Sequence, residues 1–153
     1  MSNVYIAPNA TVVGDVELHE NVNIWYGAVL RGDCGKITVG EGTNIQDNAV
    51  VHDETTLGKN CTVGHSAIIH GCTIGDDCLI GMGAIVLSGA VLGNGCLVGA
   101  GALVTGKTNA PDGSILLGSP AKIVKTMTPE QLEENRKNAE HYIELGQKAF
   151  GTK

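Results

Sequence analysis

The sequence predicts an all-β solenoid, a parallel β-helix of hexapeptide repeats with a C-terminal α-helix. Two observations predict it. First, aliphatic residues recur every six positions in three registers: Ile6, Val12, Leu18, Ile24, Leu30; then Val39, Ile45, Val51, Leu57, Val63, Ile69; then Ile74, Ile80, Val86, Leu92, Val98, Val104, Ala110, Leu116. Of these positions Ala110 alone is not Ile, Leu or Val. Second, the residue four after each is nearly always small, as at Ala28, Ala49, Ala67, Cys78, Ala84 and Ala102. A helix cannot hold a strict period of six, because 3.6 residues per turn would sweep the stripe around its axis. Simple alternating strands fail as well, since Gly, Asp and Asn fill too many of the other even positions. One large and one small inward residue per six is the pattern of a hexapeptide β-helix, three units to a triangular coil.

The elements follow in order. Residues 1–117 form the β-helix, and residues 118–153 form a connector and a helix packed on it, one domain overall. The core is built from branched aliphatics, because hydrophobic residues make up 42% of the 153 residues and aromatics only 3%. Cys61, Cys78 and Cys96 fall near an eighteen-residue spacing and stack at one inward corner as small apolar residues, with Cys34 in an equivalent slot. Cys72 is off that pattern. The repeat stops in GSPAKIVKTM, Gly118 to Met127. Thr128-Pro129-Glu130-Gln131 then opens a helix, with Thr as N-cap, Pro at N1 and Gln in a capping box. It runs to about Ala149, with Leu132, Ala139, Ile143 and Leu145 available for one face.

Composition narrows the function. A net charge of −6 without a basic patch argues against nucleic acid. No apolar run is long enough to span a bilayer, and Met1 to Ala10 carries no secretory signal, so a cytoplasmic protein without membrane partner is expected. Five cysteines without a CxxC pair suggest neither a disulfide framework nor a Cys-based zinc site.

The histidines carry the chemistry. His52 follows the inward Val51 and His70 follows the inward Ile69, so both point outward from one flank of adjacent coils. Stacked strands lie about 4.8 Å apart, and two imidazoles with Zn–N bonds of about 2.0–2.1 Å converge on one tetrahedral ion from there. His65 ends the preceding side of the prism. Five extended residues span up to roughly 16 Å and a corner intervenes, so His65 should not reach that ion within its own chain; if subunits meet flank to corner, it can reach one held by a neighbour. A cyclic trimer would then hold equal metal sites at its interfaces. The plainer alternative is that the three lie on the prism surface by chance, which is the reading kept for His19 and for His141 in the helix.

The ordered set Arg31-Gly32-Asp33, Asn44-Ile45-Gln46-Asp47, His52 and His65-x4-His70 resembles the γ-class carbonic anhydrases, as do NIWYGAVLRGD, HSAIIHGC and GSPAKIV. The likeness spans almost the whole chain. It implies a left-handed β-helix, although the general rule for parallel crossovers favours the other hand. It implies a homotrimer with zinc held by His52 and His70 of one subunit and His65 of the next, with Co2+ or Fe2+ also accepted by such a set. It implies Arg31 and Asp33 as a buried interface ion pair with Asp47 as a further partner, and Gln46 beside Asn44 as the group that orients the metal's water.

The activity implied is reversible hydration of CO2 to bicarbonate by a metal-bound hydroxide. The likeness thins at proton export: Cys34 stands where archaeal members carry a glutamate, and Asp53-Glu54 runs into Leu57 without their acidic loop. Tyr142 is a candidate for support near the metal, though packing explains it as well. Two alternatives stay open, an acetyl-CoA-dependent hexapeptide acyltransferase and a metal-binding assembly trimer of low or no activity. No long loop leaves the repeats, which counts against the first.

Overall fold

The structure is a computed structural model that describes residues 3–151. The outer limits of the two segments expected from sequence, residues 1–2 and 152–153, lie outside it. Residues 5 to 118 wind through about 6 turns of a parallel β-helix, as the repeat predicts, and its hand is left, as the resemblance implies. Most turns contribute one short strand to each of three faces, while Thr11–Leu18 and Val29–Val39 each run through a corner across two. The inward aliphatics stack in register: Ile24 on Ile45, Ile45 on Val63, Val63 on Ile80 and Ile80 on Val98 along the first face. On the second face Leu30, Val51, Ile69, Val86 and Val104 align, and on the third Val39, Leu57, Ile74, Leu92 and Ala110. All of these are buried.

The corners explain the non-aliphatic part of the repeat. The third residue after an aliphatic adopts positive φ, as Asn48 (62°) does after Ile45 and Gly101 (69°) after Val98. That conformation is cheap only for Gly, Asn and Asp, which is why these residues break any simple alternation.

Four expectations need correction. Ile6 is in register with Ile24 but is exposed, because it lies on the first coil and no coil covers it from below. Val12 and Leu18 are half-covered for the same reason. Cys34 is exposed, not in an inward slot. Across the nine-residue break between the first two registers, from Leu30 to Val39, the strand Val29–Val39 bulges outward around the corner between the second and third faces. Cys72, without an assigned place in the sequence, is buried. One residue is missing between Ile69 and Ile74, which shifts Cys72 into the slot that Ala90 fills one turn on, both placed just before register partners Thr73 and Val91. The thiols of Cys72 and Cys78 are pushed up to about 12, the first by burial and the second chiefly by its neighbour Cys61.

The connector is also more regular than a connector. Ala121–Thr126 pairs antiparallel with Ser114–Gly118 and closes the top edge of the first face. Helix α1 (Pro129–Phe150) then runs back down that face, against the strands that carry Val63, Ile45, Ile24 and Tyr5. Its capping box is formed: the Gln131 amide N–H donates to Thr128 Oγ1 at 3.2 Å, and the Thr128 N–H donates to Gln131 Oε1 at 2.9 Å. The buried side of α1 is Asn135, Ala139 and Gly146, where a side chain at Gly146 would meet Asn23. The few aromatics gather at its far end. Trp25 lies edge-on to Tyr142, Phe150 and Tyr26 with centroids 5.5, 5.0 and 6.1 Å away. They pin the helix to the first coils instead of filling the prism.

Because the prism is a single file of stacked side chains, a cavity in it cannot be filled from the side. Ile80→Ala should lower stability by about 2–5 kcal/mol, read as a drop in the urea midpoint at unchanged slope.

Candidate metal centre

Parallel register puts His52 directly against His70, and each projects outward beside a buried aliphatic. Their rings lie 5.1 Å apart, with His52 Nδ1 3.3 Å from His70 Nε2. The other nitrogen of each ring meets an oxygen. His52 Nε2 is 3.1 Å from Asp33 Oδ1, and His70 Nδ1 is 2.8 Å from Ser88 Oγ. An ionised carboxylate only accepts, so His52 carries its proton on Nε2 and turns the Nδ1 lone pair toward His70. Ser88 was missed from sequence, since a serine in a repeat turn reads as a turn residue.

His65 lies elsewhere, as expected. It sits past Val63 on the preceding side, half-exposed, with Nδ1 2.9 Å from Asp47 Oδ1. Asp47 is therefore placed with His65 and not with Arg31 and Asp33 of the same chain. Accepting from Nδ1–H, it leaves His65 Nε2 as an outward lone pair. A carboxylate or hydroxyl behind each ring is the arrangement that fixes tautomer and orientation in histidine metal sites.

Arg31 Nη1 donates to Asp33 Oδ2 at 2.7 Å. The pair is about half exposed in the single chain, 48% and 50%. Gly32 between them has no room for a side chain, because its Cβ would strike the Asp15 carbonyl of the coil below. The hydrogen bond from Arg31, aided by His52, lowers the Asp33 carboxyl to about 2. Beside it, the Cys34 thiol is raised, mainly by the Asp33 charge.

Gln46 and Asn44 are buried and coupled. Asn44 Nδ2 donates to Cys61 O at 3.2 Å and to Thr62 Oγ1 at 2.9 Å, and Asn138 of α1 donates to the same hydroxyl at 3.0 Å. Both hydrogens of Asn44 are thus used, and its Oδ1 accepts from Gln46 Nε2 at 3.1 Å. Gln46 is left with Oε1 and one N–H to offer. It lines a cleft of about 410 Å3 between the first face and α1, together with His65, Tyr142, Asn138, Leu79 and Met82. Tyr142 is raised by partial burial and by Asp47. Asp53 (φ 66°) accepts from the Glu54 N–H in a tight turn beside His52. His19 pairs with Glu17 at 2.7 Å, a surface contact.

Comparisons with known proteins bear on this arrangement. The family described as bacterial transferase hexapeptide (six repeats) matches residues 1–32 and 71–106. Gamma carbonic anhydrase 2, mitochondrial, of Arabidopsis thaliana is 46% identical over 95% of this chain, and the match takes in 56% of that relative. The protein named "Probable carbonic anhydrase" of Methanocaldococcus jannaschii is 47% identical over 95% of this chain and 94% of the relative. A crystal structure of a hexapeptide transferase family protein from Anaplasma phagocytophilum has a TM-score of 0.95 at 47% identity, covering 98% of this chain and 91% of that one. The chain thus spans little more than half of the plant relative and nearly all of the archaeal one. Fold and repeats define a hexapeptide-repeat β-helix protein. Within that class, the chain belongs to the γ-carbonic anhydrase family. Among the described residues no helix is long and apolar enough to cross a membrane.

The Asp33 carboxyl is depressed, so the Arg31 contact stabilises the fold above the unfolded carboxylate value and is lost as pH falls toward about 2. Replacing Arg31 by Met should return the Asp33 carboxyl toward its ordinary value of 3.8, followed by NMR titration of the side-chain carboxyl carbon.

Proposed function

We propose that this chain forms a homotrimer with metal centres at its subunit interfaces, and that it hydrates CO2 reversibly to bicarbonate. His52 and His70 of one subunit and His65 of its neighbour would hold the ion, zinc in the first instance and Co2+ or Fe2+ as alternatives. One observation carries the reading: the 3.3 Å between His52 Nδ1 and His70 Nε2. Two ligands of a tetrahedral ion with bonds of about 2.0–2.1 Å stand roughly 3.3–3.4 Å apart. The donor set therefore fits, and so does the lone pair on His52 that faces its partner without a proton of its own.

The shared site is supported by what a single chain does not bring together. Among the described residues His52, His65 and His70 are not one three-ligand cluster. Beside His52 and His70, the register column Val29, Val50, Ile68, Ile85, Leu103 forms an outward aliphatic stripe along the second face. All five are partly covered or exposed in the lone chain. A second copy seated there would remove the stripe from water and cover the half-exposed Arg31–Asp33 pair.

A bound zinc supplies a Lewis acid that brings the pKa of its water near 7. The chain's part is orientation. Asp47, Ser88 and Asp33 hold the three rings in place. Gln46, locked by Asn44, Thr62 and Asn138, keeps Oε1 free to accept from a water beside His65. The cleft walls of Leu79, Met82 and Leu97 suit an apolar substrate such as CO2.

Several of the similar solved structures are named as transferases. Against that reading, the bulged strand Val29–Val39 leaves only the stretch between the buried Leu30 and Ile37, too short for a loop that carries a catalytic base away from the coils.

His65→Ala should lose bound zinc and CO2 hydration together, measured by metal analysis and stopped-flow pH change. Mixed trimers of His65→Ala and His52→Ala subunits should recover part of both. Zinc retained in full by His65→Ala would overturn the shared site, and zinc without hydration in the unaltered protein would favour the assembly reading.

A further inference from the structure

The strand Val29–Val39 bulges where it turns the corner, and this brings a second set of ligands against His52. Ligand atoms of Asp33, Cys34 and His52 all lie within 4.8 Å of one another. The three offer one oxygen, one sulfur and one nitrogen, a set that suits Zn2+ or Co2+ and not Mg2+ or Ca2+. The thiol is exposed and turns on a single torsion, so its distance to an ion is adjustable. The charge balance also admits a cation: at Cys34 the charges of Asp33 and Asp53 act against that of Arg31. Cys34 has no part in the three-histidine centre, yet stands beside it.

We infer that Asp33, Cys34 and His52 form a second metal site, which captures a thiophilic divalent cation and passes it to the histidine centre. The passage uses the two nitrogens of one ring. His52 presents Nε2 to Asp33 and Nδ1 to His70. With the ion on the triad, Nε2 ligates and the ring proton sits on Nδ1, where it donates to His70 Nε2. With the ion on the histidines, Nδ1 ligates and the proton returns to Nε2, donating to Asp33 Oδ1. The two sites are thus exclusive through the His52 tautomer. On capture the Cys34 thiol releases its proton to solvent as the S–metal bond forms. On transfer that bond breaks and the sulfur is reprotonated, with no change of oxidation state. The passage rests on the three-histidine reading, whereas the capture site stands without it.

Cobalt distinguishes the two, because a thiolate ligand adds a near-ultraviolet charge-transfer band that histidines do not give. His70→Ala removes the histidine centre and leaves the triad. Titrated with Co2+, this variant should show the thiolate band. His70→Ala/Cys34→Ser should lose the band and bind Co2+ roughly 10–100-fold more weakly, at least the loss that follows removal of a metal site's outer partners. If His70→Ala binds Co2+ without a thiolate band, or not at all, the capture site is overturned. Should that variant fail to fold, rapid mixing of the unaltered apo-protein with Co2+ decides in its place. The thiolate band should rise and then decay as the visible cobalt bands grow, and its absence throughout overturns the proposal. A thiolate band that never gives way to the visible bands of a histidine centre would instead overturn the three-histidine reading and leave the capture site standing.

Discussion

Parallel coil-on-coil register is the constraint on which the rest depends. Each coil spends its strand amides on the carbonyls of the next, as Val50 N–H to Ala67 O at 2.9 Å and Ile68 N–H to Ala84 O at 2.8 Å. Residues that this bonding sets in register, as Val50 with Ile68 and Ile68 with Ile85, must point the same way. The inward columns therefore stack into a continuous aliphatic core, and every outward position becomes part of a column too. The His52–His70 pair and the aliphatic stripe beside it follow from one rule. Neither needs a loop to position it, and a metal site built on strands is held more rigidly than one built on loops.

The chemistry gathers where that rule is relaxed. Arg31 is still in register with His52, and three extra residues between Leu30 and Val39 then push Asp33 and Cys34 out of the prism, where Asp33 meets His52. One missing residue between Ile69 and Ile74 follows His70 immediately and leaves Gly71 at positive φ (63°). The register between Val51 and Ile69 survives both irregularities. Insertion and deletion reshape the corner without moving the histidines apart. A sequence that holds its period everywhere except next to one cluster marks that cluster as the place where packing is not the only demand.

Most of the fold was legible because a six-residue period leaves few alternatives. The capping box at Thr128 and Gln131 was legible for the same local reason: its partners lie three residues apart. The misses are non-local. Cys34 reads as a small residue in a repeat until the nine-residue gap is placed on a corner, and Cys72 reads as irregular until the deletion is. The Ala121–Thr126 strand pairs antiparallel with its predecessor, which no period announces. At the site, the stacking of His52 on His70 followed from spacing alone. Asp47 behind His65 and Ser88 behind His70 did not, because both partners sit across coil boundaries and look like ordinary turn residues.

Those oxygen partners change what the proposed centre requires of assembly. A histidine free to rotate would search many orientations before meeting an ion across an interface, and ordering it would cost side-chain entropy at that moment. Here each ring is already tied by one nitrogen, to Asp33, Ser88 or Asp47, within a single chain. What a neighbouring subunit would then contribute is position rather than order. The same preorganisation reaches Gln46 through Asn44, Thr62 and Asn138, so the helix that closes the first face also fixes a group beside His65. Helix α1 is in turn held by the aromatic cluster on Trp25 at its far end. In the proposed trimer each chain thus delivers half-sites finished in every respect but the partner's imidazole, and subunit contact along the second face is the step that completes them.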